Sequence, residues 1–173
     1  MRKILVVIDM QNDFIDGALG TPEAQSVVEN VKAKIRSYPK SDVFATRDTH
    51  SENYLSTQEG KNLPFVHCVE GTHGWQIRAD IAELIDSANI IDKPTFGSVV
   101  LAEKIAALAK KEEIAVELIG VCTDICVVSN ALLLKAFSPE LPVCVDAKCC
   151  AGVTPESHEA ALKTMKSCQV SLV

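Results

Sequence analysis

Three residues are the best placed for chemistry in this sequence: the thiol of Cys126, the carboxylate of Asp9 and the amine of Lys93, each close behind an apolar run. Cys126 falls in the first turn of a helix starting near Thr123 or Asp124. There, unpaired backbone N–H groups and the positive end of the helix dipole favour an anion, so its thiol pKa is expected to fall toward neutrality. A nearby ammonium would lower it further, and a carboxylate in contact could take the thiol proton and pass it to a leaving group. Lys93 and Asp9 are the candidates for those two roles. Each of the three also has a plain structural alternative. Cys126 can be a small core residue, Asp9 an acceptor for the loop Gln11-Asn12-Asp13, and Lys93 a surface lysine before Pro94.

A second group is Asp48-Thr49-His50 followed by His67, one hard oxygen and two imidazoles, with Glu59 eight residues before His67. That ligand set suits zinc, iron or manganese. The spacing is not a common zinc signature, so on chemistry alone the metal and non-metal readings stand even. His73, between Gly71 and Gly74, reads as a turn residue.

The elements that must hold these groups alternate in type. Ile4 to Ile8, Val43 to Thr46, Asn89 to Ile91, Val116 to Val121, Val143 to Val145 and Val170 to Leu172 read as strands. Several are apolar throughout, the mark of strands buried on both faces. Helical periods fall over Pro22 to Ser37, Gln76 to Asp86, Val99 to Lys111, Asp124 to Phe137 and Pro155 to Lys166. Thr21-Pro22 and Thr154-Pro155 supply N-caps with proline in the first turn. This pattern predicts a three-layer α/β fold, an open, mostly parallel six-stranded sheet with helices on both faces. Sites in such sheets form at the carboxyl ends of strands, which is where Asp9, Asp48, His50, Lys93 and Cys126 fall. Arg47 to Gly74 is read as a long functional loop.

The 173 residues, 47% hydrophobic and 23% charged, fit one domain, residues 1–173. A formal charge of -6 gives no footprint for a nucleic-acid backbone or an anionic membrane, leaving small-molecule partners favoured. The opening MRKILVVIDM reads as a first strand rather than a signal peptide, and no apolar stretch nears the roughly 18 residues needed to span a bilayer. Seven cysteines without a C-x-x-C pair predict reduced thiols in the cytoplasm.

The chain resembles the nicotinamidase/pyrazinamidase branch of the isochorismatase-like cysteine hydrolases. The matching segments are VVIDMQNDF at Val6 to Phe14, TRDTH at Thr46 to His50, HCVEGTHG at His67 to Gly74, the lysine of IIDKPTFGS, GVCTDICV at Gly120 to Val127, and the closing DAKCCAGVTPESHEAAL and VSLV. The resemblance implies a catalytic triad of Asp9, Lys93 and Cys126. It implies a cis peptide between Val121 and Cys122 that aims the N–H groups of Cys122 and Cys126 at an oxyanion. It also implies one divalent metal, zinc first and iron or manganese next, on Asp48, His50 and His67, with Glu59 near an extra carboxylate position. The family often places a bulky aromatic shortly before the metal histidine, whereas this chain reads Leu63-Pro64-Phe65-Val66-His67; Phe14, Phe65, Trp75 and Phe96 are candidates to wall a flat ring instead. The implied reaction is hydrolysis of nicotinamide to nicotinate and ammonia through a thioester on Cys126. The alternatives are a superfamily amidase for a carbamoyl or ureido substrate and a non-catalytic binding protein on the same fold. A homo-oligomer is compatible with all of these.

Overall fold

The computed structural model describes residues 1–173. Six strands, β1 Arg2–Ile8, β2 Val43–Asp48, β3 Ile90–Lys93, β4 Ile114–Val121, β5 Val143–Ala151 and β6 Ser171–Leu172, form one sheet in the order β3-β2-β1-β4-β5-β6. All five pairings are parallel. The central strand is the most apolar one, and Ile4 through Ile8 have no exposed surface at all. Its alternating side chains divide the core in two. Ile4, Val6 and Ile8 pack with Leu101, Ile105, Ala131, Leu134 and Leu162, on the helices α6 Val99–Ala109, α7 Val128–Phe137 and α8 Pro155–Ser167. Leu5 and Val7 face the opposite layer, with Ala24, Val28, Val31, Ile35 and Ile81. Those residues sit on α2 Pro22–Ser26, α3 Val28–Arg36 and α5 Ala79–Ala82. Period-two alternation in one strand thus produces both outer layers. Two short helices, α1 Asn12–Ile15 and α4 Gln58–Asn62, complete the set.

Both predicted caps form: Thr21 Oγ1 accepts from Ala24 N at 3.0 Å, and Thr154 Oγ1 accepts from Ser157 N at 3.2 Å with a reciprocal bond at 3.1 Å. Three expected elements differ. The helix expected over Pro22 to Ser37 is divided at Val27, which ends α2 and starts α3. Most of Gln76 to Asp86 is not helical, because Ile77 bridges Gln11 and the Arg78 N–H donates to Met10 O, so the start of the segment is spent on strand-like bonds. The fifth strand runs on to Ala151 around an irregularity where Leu118 pairs Val145 but Gly120 pairs Cys150. No helix is long and apolar enough to cross a membrane.

In this strand order the connection direction reverses between β1 and β4, so a crevice opens at their carboxyl ends. Asp9 follows β1 directly and Cys126 follows β4 by five residues. Asp48 and Lys93 end β2 and β3 as register partners.

Candidate active site and metal centre

Gly120 makes the close approach of β4 to β1 possible. Its φ is +119°, and a Cβ there would lie 2.1 Å from Ile8 O, so only glycine fits. Beyond it the Val121–Cys122 peptide is cis, and Thr123–Val127 forms one wide π-helical turn closed by Val127 N–H donating to Cys122 O at 3.0 Å. That turn carries Cys126. Asp9 has φ +48°, an uncommon value for a side-chain-bearing residue, and sits where β1 breaks away from the sheet.

Lys93 joins the pieces. Its fully buried Nζ lies 2.7 Å from Asp9 Oδ2, 3.2 Å from Asp48 Oδ1 and 3.5 Å from Cys126 Sγ, and it donates to Thr95 O at 3.1 Å. The other Asp9 oxygen accepts from Thr46 Oγ1 at 2.6 Å. Burial opposes the lysine's charge, but Asp9, the Cys126 sulfur and Asp48 outweigh it and hold the ammonium firmly protonated. Burial pushes Asp9 up, with Lys93 pulling the other way. Burial also pushes the Cys126 thiol well above its ordinary value, and Asp9 adds to this against Lys93. The lowered thiol pKa expected from the helix start is therefore absent from this resting geometry. The sulfur is dry, and α7 itself begins only at Val128, two residues later. Desolvation outweighs the dipole and the neighbouring ammonium.

The loop after β2 holds the second group. One potential ligand atom each from Asp48, His50, Glu59 and His67 lies within 4.8 Å of all the others. His50 Nε2 is 2.8 Å from Asp48 Oδ2, and His67 Nε2 is 3.7 Å from the same oxygen and 3.9 Å from Glu59 Oε1. His67 Nδ1 contacts Phe65 O at 2.7 Å, which fixes the proton on Nδ1 and leaves Nε2 its lone pair. His50 Nε2 is buried with no hydrogen bond of acceptable angle, an orphan that a cation would satisfy. Two imidazole lone pairs and two carboxylates around one point fit a divalent metal. Asp48 belongs to both groups, one oxygen toward Lys93 and the other toward the histidines. The stretch Arg47 to Gly74 is thus not uniformly irregular: a 3-10 turn at Tyr54–Ser56 and α4, capped by Thr57, deliver Glu59. Buried Tyr54 packs against both histidine rings.

Both groups open onto one cavity of about 180 Å³. Cys126, Asp48, Glu59 and His67 supply its polar end, while Phe14, Leu19, Thr21, Leu63, Phe96, Cys122, Ile125 and Val153 wall the rest. A wider groove by Arg2, Lys34, Tyr38 and Glu117 lies at the opposite end of the sheet, remote from these groups.

A model of the isochorismatase domain matches residues 3–173. The chain belongs to the isochorismatase family. Its fold superposes on the pyrazinamidase of Pyrococcus horikoshii in complex with zinc with a TM-score of 0.79 at 28% identity, covering 100% of this chain and 99% of that one. An uncharacterised isochorismatase family protein, PncA of Bacillus subtilis, is 25% identical across 94% of this chain and 93% of its own. The nicotinamidase of Saccharomyces cerevisiae is 28% identical over 53% of this chain and 56% of its own.

For this isochorismatase-family chain, the residues named from sequence separate into two sets. Asp9, Lys93 and Cys126 are in mutual reach, and Asp48, His50, Glu59 and His67 surround one point beside them. Phe14 and Phe96 line the cavity, as does Cys122, whose thiol burial and the carboxylates of Asp124 and Asp9 push up to about 12. Phe65 and Trp75 do not line it. Phe65 is exposed, and Trp75 lies under the Arg47 guanidinium, whose carbon is 3.4 Å from the Trp75 ring centroid, and donates to Thr49 Oγ1 at 2.9 Å. Sequence reasoning missed Gln11. Where β1 stops pairing, its carboxamide replaces the missing peptide: Oε1 accepts from Asp48 N at 2.7 Å, and Nε2 donates to Asp48 O and Trp75 O at 2.8 Å each. Nothing in the sequence marks Gln11 out, since its burial and its partners appear only in the fold.

Proposed function

We propose that this chain hydrolyses nicotinamide to nicotinate and ammonia, with Cys126 as nucleophile. The observation that carries the reading is the shared cavity: a thiol beside a buried carboxylate and ammonium, and a group of four residues that could hold a metal ion, meet at the same small, largely apolar space. A bound divalent ion, zinc in the first instance, would supply a Lewis acid for the ring nitrogen and order solvent. Asp48, His50 and His67 would hold it, with Glu59 beside them. The apolar wall, including Phe14 and Phe96, would take the ring and set the carboxamide carbon against the sulfur.

The chain's own residues supply the proton transfers. Cys126 Sγ bonds to the carboxamide carbon as Asp9 takes the thiol proton, with Lys93 steadying both the carboxylate and the sulfur. This transfer at the moment of attack suits a thiol that burial keeps protonated at rest. The N–H groups of Cys122 and Cys126 would meet the oxyanion. The carbon–nitrogen bond then breaks while Asp9 returns the proton to nitrogen, releasing ammonia and leaving a thioester. Water adds to the thioester carbon, Asp9 takes a water proton and passes it to the departing sulfur, and the acid product leaves. No Arg or Lys lines the cavity, which favours a neutral amide over a carboxylate-bearing ureide. The seven unpaired thiols support a place in the cytoplasm.

Ammonia release from zinc-loaded protein given nicotinamide, benzamide and a panel of ureides tests the proposal. Nicotinamide should be turned over, benzamide far more slowly for want of the ring nitrogen, and Cys126→Ser should lower turnover by orders of magnitude. Equal hydrolysis of nicotinamide and benzamide, or hydrolysis of neither, would overturn it.

A further inference from the structure

Asn130 is the third residue of α7, just before the apolar run Ala131 to Leu134, and asparagine is a poor helix former. It is buried, and each of its polar atoms is used. Oδ1 accepts from Ser98 N at 2.9 Å, while Nδ2 donates to Phe96 O at 3.1 Å and to Cys126 O at 2.8 Å. One carboxamide therefore joins the turn that carries the nucleophile to the segment after β3 that carries the cavity wall. That segment, Pro94 to Ser98, is short and mostly exposed, and Phe96 on it is 43% exposed at the rim. It is otherwise fastened by Lys93 Nζ to Thr95 O and, at its far end, by Ser98, which caps α6 by accepting from Leu101 N and Ala102 N. It also passes close over α7, since a Cβ on Gly97 would meet Leu133 Cδ2 at 3.3 Å.

Helix formation alone does not call for asparagine here, because alanine or leucine suits a helix better. The three bonds tie the backbone of Phe96 and Ser98 to the backbone of Cys126 through one side chain. We infer that Asn130 is a positioning residue that sets the width of the cavity between its aromatic rim and the nucleophile. The inference rests on the proposed site, but not on which amide the site takes. Two of the three bonds go to the rim segment, so the effect falls first on substrate binding and only second on the chemical step.

The test uses Asn130→Ala in the full, zinc-loaded protein, with urea unfolding to confirm a cooperative fold. KM for nicotinamide should rise by about 10-fold while kcat changes much less, the pattern of a lost binding wall rather than a lost transition-state contact. Alkylation of Cys126 by iodoacetamide, followed by mass spectrometry, should become several-fold faster as the rim loosens. Asn130→Ser, which keeps a single polar atom, should fall between, and it carries the test if the alanine variant does not fold. KM and alkylation rate both within about 2-fold of wild type would overturn the inference, and so would a fall in kcat at unchanged KM. Should the wild type not hydrolyse nicotinamide, the proposed function fails while the alkylation rates still decide the role of Asn130.

Discussion

Replacing Lys93 by methionine removes a charge that three buried groups share. At an effective dielectric constant of about 20, an ion pair at the 2.7 Å Lys93–Asp9 separation is worth about 6 kcal/mol, and one at the 3.2 Å Lys93–Asp48 separation about 5 kcal/mol, before desolvation is subtracted. The lysine and Asp9 have no exposed side-chain surface, so the variant leaves carboxylates in a dry site without their cation. Removing one partner of a buried pair costs about 3–5 kcal/mol. For a chain of this size that lowers Tm by roughly 6–20 °C. Asp9→Asn should cost less, because Lys93 keeps Asp48 as a partner. The double variant Asp9→Asn/Lys93→Met should lose less than the sum of the singles, with a coupling of about 1–3 kcal/mol. Urea titrations in chelator, followed by fluorescence of Trp75, the single tryptophan, give all four stabilities free of metal binding. Strictly additive losses, or a Lys93→Met cost below about 1 kcal/mol, would refute the reasoning.

Gln11→Ala removes both side-chain bonds to the Asp48 peptide and should weaken zinc binding by the chain about 10–100-fold in competition with a chromophoric chelator, and Gln11→Glu, which keeps an acceptor for Asp48 N–H but sets its second oxygen against Asp48 O and Trp75 O, should not restore it. On the other side of the sheet Lys34 bridges Glu117 and Asp146 at 2.7 Å each. Burial raises the Asp146 pKa, but hydrogen bonds from Lys34 and the Lys148 N–H outweigh it and hold it below the usual carboxylate range. The stability this gives is present above the unfolded pKa of about 3.9 and lost as pH falls through the lower folded value. Wild type should therefore exceed Asp146→Asn by a constant margin near neutrality that shrinks in acid, and a margin that grows on acidification would contradict the assignment.

The strand cores were legible because each is a β-branched run, and the chemistry-bearing residues were legible because polar residues rarely end such runs. What the sequence hid depends on distant partners. The end of β5 is set by pairing with Gly120 rather than by its own mixed residues Asp146 to Cys150, and Gln76 to Asp86 keeps a helical period although Ile77 is claimed by Gln11. The direction of the Cys126 pKa shift was missed for a related reason: a helix start is visible in sequence, whereas the layers that dry the sulfur are not. Gln11 and Asn130 read as ordinary polar residues, since their value lies in peptide groups 37 residues away in one case and 32 in the other.

The strand order has a consequence for how the site comes into being. The central pairing joins Arg2 to Ile114 and Ile8 to Gly120, so the two halves of the crevice are more than a hundred residues apart along the chain. Only the Asp48 to His67 group is local; Asp9, Asp48, Lys93 and Cys126 are each placed by a different strand and meet only when all four strands have paired. Parallel pairings of this reach are slow to close, as the entropy of the long loops is lost before the contacts form. The pocket is therefore a product of completed assembly. A ligand that needs all four strand ends binds the finished sheet and nothing earlier, and its binding energy adds wholly to the folded state.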